Sequence, residues 1–252
     1  MRQTLAIARY TALEALRTRT AISAAAMLLL LFAASFFIRE IAIADSHRLQ
    51  TTFLAATARL AGIFIASLFI ISAVVREFND KGQMLLLSLA LGRGQYVVGK
   101  FLGFLLPVAL MSLASSVLVA LVAGFGPTLT WAAALLLESA IMSAVSLFCA
   151  LSLRQTLPSA ALAMAFYLLA RGLAGIQLIA HHSLEAGGAQ SMMTTLVDGL
   201  GLLLPRLDAF AASRLLVETV SAAALGPMLA QAALYCALAL AAASIDFARR
   251  DL

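Results

Sequence analysis

Charge is scarce in this chain. Of its 252 residues only 12% are charged, while 63% are hydrophobic; a soluble domain is about a quarter charged and about half apolar. No water-soluble fold of this length hides that much apolar surface, so the shortage of charge points to the bilayer as solvent. Cysteine is scarce too. Cys149 and Cys236 both lie inside apolar runs, which excludes a disulfide framework and leaves them as small core residues. A net charge of +5 would draw attention to nucleic acid, but the basic residues sit between apolar runs rather than in a patch. Missing as well are a G-x-x-x-x-G-K-[ST] loop and a G-x-G-x-x-G turn opening a helix. Any ATP-driven work must therefore take its hydrolysis from another chain. The absence of a Gly-x-Ser-Gly-type nucleophile with a membrane His excludes a rhomboid-like protease, and the absence of paired His within apolar runs excludes a haem cytochrome. His47, His181 and His182 read as outer-loop histidines, and no metal site is expected.

What is present is a series of apolar runs. Crossing the hydrocarbon takes about 20 residues of helix, and six segments qualify: Thr20–Ile38, Leu60–Val75, Phe101–Val122 with Pro107 inside it, Trp131–Leu153, Ala160–Ile179 and Pro227–Ile245. The expected fold is an all-α membrane protein, one six-helix bundle spanning 1–252. Residues 1–19 are basic and amphipathic, with Leu5, Ala8, Ala12 and Leu16 on one helical face, and read as a helix lying in the membrane interface. A secretory signal would carry a shorter basic region, and Glu14 interrupts this one. Residues 180–226 form a long outer segment. Met192, Met193, Leu196, Val197 and Leu200 recur there at helical spacing, and a second stretch runs from Asp208 to Ala224. Short periplasmic helices are expected between spans five and six.

Lysine and arginine set the orientation. With both termini in the cytoplasm, that side holds 11 of the 17 basic residues and five acidic ones, while the outer side holds six of each, Arg59 and Arg171 among its basic residues. The asymmetry places both termini inside a bacterial inner membrane, and an even number of spans agrees.

The segment joining spans two and three, Arg76 to Lys100, has charges at both ends and a short apolar stretch, Met84 to Leu91, in the middle. Gly92 and Gly94 flank Arg93 and close that stretch. It is far too short to span, so its apolar side must be covered by the membrane surface or by a partner protein.

An acidic residue after span two, a charged-Gly turn, a Leu-rich stretch, an Arg and a Gly-Lys opening span three together resemble the ABC-2 type permeases, the membrane subunits of bacterial ABC exporters. The resemblance takes in the amphipathic amino-terminal helix, the six spans, the long outer segment and the terminal run from Phe247 to Leu252. One position departs: Gly92 stands where many members have Pro. The resemblance implies a coupling helix over about Lys81 to Leu91 that docks into a groove on an ATPase subunit, with Glu77, Lys81, Gly82, Arg93 and Lys100 orienting it. It also implies two ATPase subunits, a second copy of this permease or a similar one, and no cofactor on this chain, ATP-Mg being held by the partner. A secondary transporter without an ATPase, or a haem-export-type permease of cytochrome c maturation, are the alternative functions. The first would be expected to show internal repeats and broken helices around midplane charges.

Two charges fall inside the apolar slab. Glu138 in span four and Arg171 in span five lie at similar depth, roughly 10–13 Å below the outer surface at 1.5 Å per residue. An unpaired charge there is costly, so an intramembrane ion pair is expected, locking helices or lining a path. Ser112, Ser115 and Ser116 in span three, with Ser139, Ser143 and Ser146 in span four, suit close helix contacts.

Overall fold

In hydrocarbon every backbone N–H and C=O must be satisfied within the protein, which leaves a chain this apolar little besides helix. The computed structural model describes residues 2–17, 19–41, 45–79, 93–182, 195, 197–201, 204–210 and 225–249. Among them there are helices and no strands: α1 (Arg2–Arg17), α2 (Arg19–Ile41), α3 (Ser46–Asn79), α4 (Arg93–Ala123), α5 (Phe125–Leu153), α6 (Thr156–His182), the single turn α7 (Leu207–Phe210) and α8 (Leu225–Arg249). Residues 197–201 are helical as well. Six of these helices, α2 to α6 and α8, are long and apolar enough to cross a membrane.

Two tight turns fix the middle of the bundle. Gly124, at φ 88°, separates α4 from α5 and donates its N–H to the Ala120 carbonyl at 2.9 Å. Arg154 takes the left-handed conformation at φ 54°, donates its N–H to Ala150 O at 3.0 Å, and ends α5 just before α6 begins. Links this short force α4, α5 and α6 to run antiparallel as neighbours. The chain is thereby folded so that α5 sits at the centre, packed on α3, α4, α6 and α8. Every side chain from Ile141 to Leu147 is buried. By contrast α2 and α8 turn most of their surface outward.

Several helices exceed the spans read from hydropathy. α3 begins at Ser46 rather than Leu60, α4 at Arg93 rather than Phe101, and α6 carries His181 and His182 within its last turn. A hydropathy window marks only the part in hydrocarbon, whereas helical hydrogen bonding continues while one face still has something to pack on. On α3 that face is Gln50, Thr51, Leu54, Ala55, Ala58 and Arg59, all buried. His47 Nε2 lies 3.0 Å from the Val122 carbonyl at the end of α4, where a helix leaves its last carbonyls without intrahelical partners. The expected short helix over Lys81 to Leu91 lies outside the described residues, as does most of the stretch from Asp208 to Ala224.

Candidate functional site: a charged junction and an intramembrane cluster

The charged junction forms where α3 ends and α4 begins, the two helices that lead into and out of residues 80–92. Lys100 Nζ lies 2.5 Å from Glu77 Oε2, and both side chains are largely buried. The Lys100 ammonium also stands 5.9 Å from the Tyr96 ring centroid and 6.0 Å from that of Phe104, so its stem and head are enclosed by aromatic faces. Tyr96 in turn stacks on Phe247 of α8, with centroids 5.6 Å apart and planes 20° from parallel. From the α5–α6 turn, the Arg154 guanidinium sits 5.0 Å from the Phe78 ring near the end of α3. The run from Gly94 to Lys100 has the G-x-x-x-x-G-K spacing, but Phe101 follows it. The run is helical throughout, so it forms no phosphate-cradling loop.

Helix α1 is seated on this junction by close approach to glycine. A Cβ at Gly99 would come within 3.2 Å of the Ile7 side chain and of Thr4 O, and one at Gly103 within 2.6 Å of Thr11 Cβ and 2.8 Å of Ala8 O. Gly99 and Gly103 are four residues apart, so they share one face of α4 and let Ile7 and Thr11 of α1 reach its backbone. The contact continues to α3, where Arg76 Nη2 donates to Glu14 Oε1 at 3.3 Å, an exposed pair worth little by itself. Thus Glu77 and Lys100, two of the residues expected to orient the coupling segment, are brought together. Arg93 opens α4. Lys81 and Gly82 lie outside the described residues.

The second constellation lies deep between α3, α5 and α6. Glu138 is wholly buried. Its Oε1 is 3.6 Å from Arg171 Nη1, so the structure brings these two sequence-expected residues to the same place. Its closer partner was not anticipated. Arg59 Nη1 donates to Glu138 Oε2 from α3, and the Arg59 side chain is only 1% exposed. Arg59 is a core residue, not the outer-loop residue its position before Leu60 suggests. Its guanidinium lies 4.9 Å from the Trp131 ring centroid, and Arg171 Nη1 donates to the Tyr167 hydroxyl at 3.3 Å. The signal available in the sequence was the apolar and small residues Leu54, Ala55 and Ala58, which continue the buried face of α3 back past Leu60.

Counting along the helices gives the depth. Arg59 is 18 residues from Glu77, Glu138 is 16 from Arg154, and Arg171 is 15 from Thr156. At 1.5 Å per residue the cluster stands about 22–27 Å along the helices from the Lys100 end, less than the thickness of a hydrocarbon layer of about 30 Å. Between the two constellations runs a seam of small residues. Ala58, Gly62 and Ala66 of α3 line a small cavity with Ser112 and Ser115 of α4 and Ser139 of α5. Ser112 and Ser139 are hydrogen-bonded at 3.1 Å, with Ser139 also donating to Leu135 O.

A family model described as "ABC-2 family transporter protein" matches residues 19–169. That range holds α2 to α5, residues 80–92, Arg59 and Glu138; α1, Arg171 and the remaining carboxy-terminal residues lie beyond it. No curated protein matches the chain.

Proposed function

This chain belongs to the ABC-2 transporter family, and from that premise we propose how the multi-pass permease subunit works. It is an exporter half of the bacterial inner membrane with both termini in the cytoplasm. Two separate ATPase subunits drive it, ATP-Mg is bound by them, and a second copy of this permease or a similar one completes the path. Residues 80–92 couple the ATPase to the spans. Closure of the ATPase pair pushes on this segment, and the push enters the membrane through α3 and α4.

The observation that carries the reading is the buried Glu77–Lys100 pair at the root of that segment. It clamps the end of α3 to the start of α4, so a displacement of the segment moves both helices together. Seating α1 on Gly99 and Gly103 adds a third element to the same rigid unit, and α1 acts from the cytoplasmic interface, where its basic face meets anionic lipid. Orientation rests on the positive-inside asymmetry. Burial of Arg59 removes one positive charge from the outer loops and strengthens that asymmetry.

The test is capture of the ATPase. A tagged chain expressed in its native membrane should retain an ATP-hydrolysing subunit in mild detergent, and the purified pair should hydrolyse ATP. Charge reversal at Lys100 should lower substrate-stimulated hydrolysis while the pair still co-purifies. If no ATPase subunit is recovered and enriched membranes lack the activity, the reading fails.

A further inference from the structure

The cluster around Glu138 holds more positive charge than it can match internally. Two guanidinium groups, those of Arg59 and Arg171, face one carboxyl group among the described residues. Among the described residues, at least one of these positive charges has no carboxylate of its own at the site. The two arginines are not equivalent. Arg59 is enclosed, bonded to Glu138 and set over Trp131, yet its Nη2 is buried with no hydrogen-bond partner among the described residues. Arg171 is 30% exposed and engages Tyr167 and Glu138 through Nη1 alone.

A partly exposed guanidinium beside a second, buried one, within the apolar spans, is costly unless an anion meets it. The planar fork of arginine matches the oxygens of phosphate in two parallel hydrogen bonds. A long arginine side chain reaches beyond the level of its own Cα, so a guanidinium that far from the Lys100 end can extend toward the phosphate groups of the opposite leaflet. We propose that Arg171, backed by Arg59, is a binding site for a phosphate-bearing anion. Arg171 supplies the ligating N–H donors; Arg59 supplies charge behind it; Glu138 and Tyr167 hold the Arg171 guanidinium in place. The proposal stands on the cluster itself and does not depend on the ATPase reading. Its phosphate is carried either by a lipid headgroup or by a free anion.

The chain reports on this site through its single tryptophan, Trp131, which lies against Arg59. Full-length protein in a phosphate-free maltoside detergent is titrated with short-chain phosphatidylglycerol, with inorganic phosphate in a second arm and with a neutral short-chain diacylglycerol as control. A saturable change in Trp131 emission is expected with phosphatidylglycerol, with inorganic phosphate or with both, and not with the diacylglycerol. Response to phosphatidylglycerol alone identifies a lipid headgroup; response to inorganic phosphate identifies a site open to free anions. Arg171→Gln should weaken binding by about tenfold or more, and Arg171→Lys by less. The wild-type affinity should fall as KCl is raised, a measurement that holds even if Arg171→Gln does not fold. A neutral lipid that titrates equally well, an affinity indifferent to salt, an Arg171→Gln variant that titrates like wild type, or no saturable response to either phosphate would each overturn the site.

Discussion

Glu138→Gln removes the one carboxylate that, among the described residues, meets the two guanidinium groups of this site. The substitution keeps the volume and leaves Arg59, 1% exposed, with no counter-charge among the described residues. Truncating one partner of a buried ion pair costs about 3–5 kcal/mol, most of it the penalty of the charge left behind. For a chain of about this length each kcal/mol lowers the unfolding midpoint by about 2–4 °C, so a drop of about 6–20 °C is expected. Replacing both members of the closer pair, as in Arg59→Met with Glu138→Leu, removes the orphaned charge together with its partner and should recover much of that loss. Thermal unfolding of the detergent-solubilised protein, followed by emission of Trp131, measures both variants. A Glu138→Gln midpoint within about 2 °C of wild type, against the shift expected from the pair, would refute the claim that this cluster locks α3 to α5. So would a double variant no more stable than the single one.

Other outcomes follow from particular contacts. Gly103→Ala forces a Cβ to within 2.8 Å of the Ala8 carbonyl and should destabilise by about 1–3 kcal/mol, the range for overpacking. Gly62→Ala meets nothing nearer than Ser115 Oγ at 4.0 Å and should be neutral or stabilising by up to about 1 kcal/mol; equal losses from the two, in the same unfolding assay, would contradict the seating of α1. Glu77→Lys and Lys100→Glu should each lower the yield of folded protein in membranes, while the double reversal restores it; quantitative blotting decides, and no recovery in the double variant sinks the clamp. Arg154→Gly should unfold at a higher temperature than Arg154→Val by an amount equivalent to about 1–2 kcal/mol, because a β-branched residue is strained at positive φ. Loss of the Phe78 contact is common to both, so indistinguishable midpoints would remove the conformational argument.

The six spans were legible because membrane helices announce themselves by length and composition, and Glu138 and Arg171 because a charge inside an apolar run has no innocuous reading. Arg59 was not. It lies one residue outside the hydropathy segment that begins at Leu60, and a linear window treats such a residue as loop. Only the buried face from Gln50 to Arg59 shows the helix to be continuous. The contact of α1 with Gly99 and Gly103 was equally hidden. An amphipathic helix reads as a surface helix whether its apolar side meets lipid or another helix, and nothing in residues 2–17 names the glycines that receive it.

By itself, then, the sequence determined the solvent, the six helices long and apolar enough to cross a membrane, and the uneven distribution of positive charge along the chain. These are local or one-dimensional properties, set by transfer free energies residue by residue. The tertiary structure decided which charges meet: Glu77 with Lys100 across the segment that separates them, and Glu138 with Arg59 from 79 positions away in preference to the nearer Arg171. Pairing in a bundle depends on helix rotation and on the turns at Gly124 and Arg154 that fix which helices are neighbours, and neither is written in hydropathy.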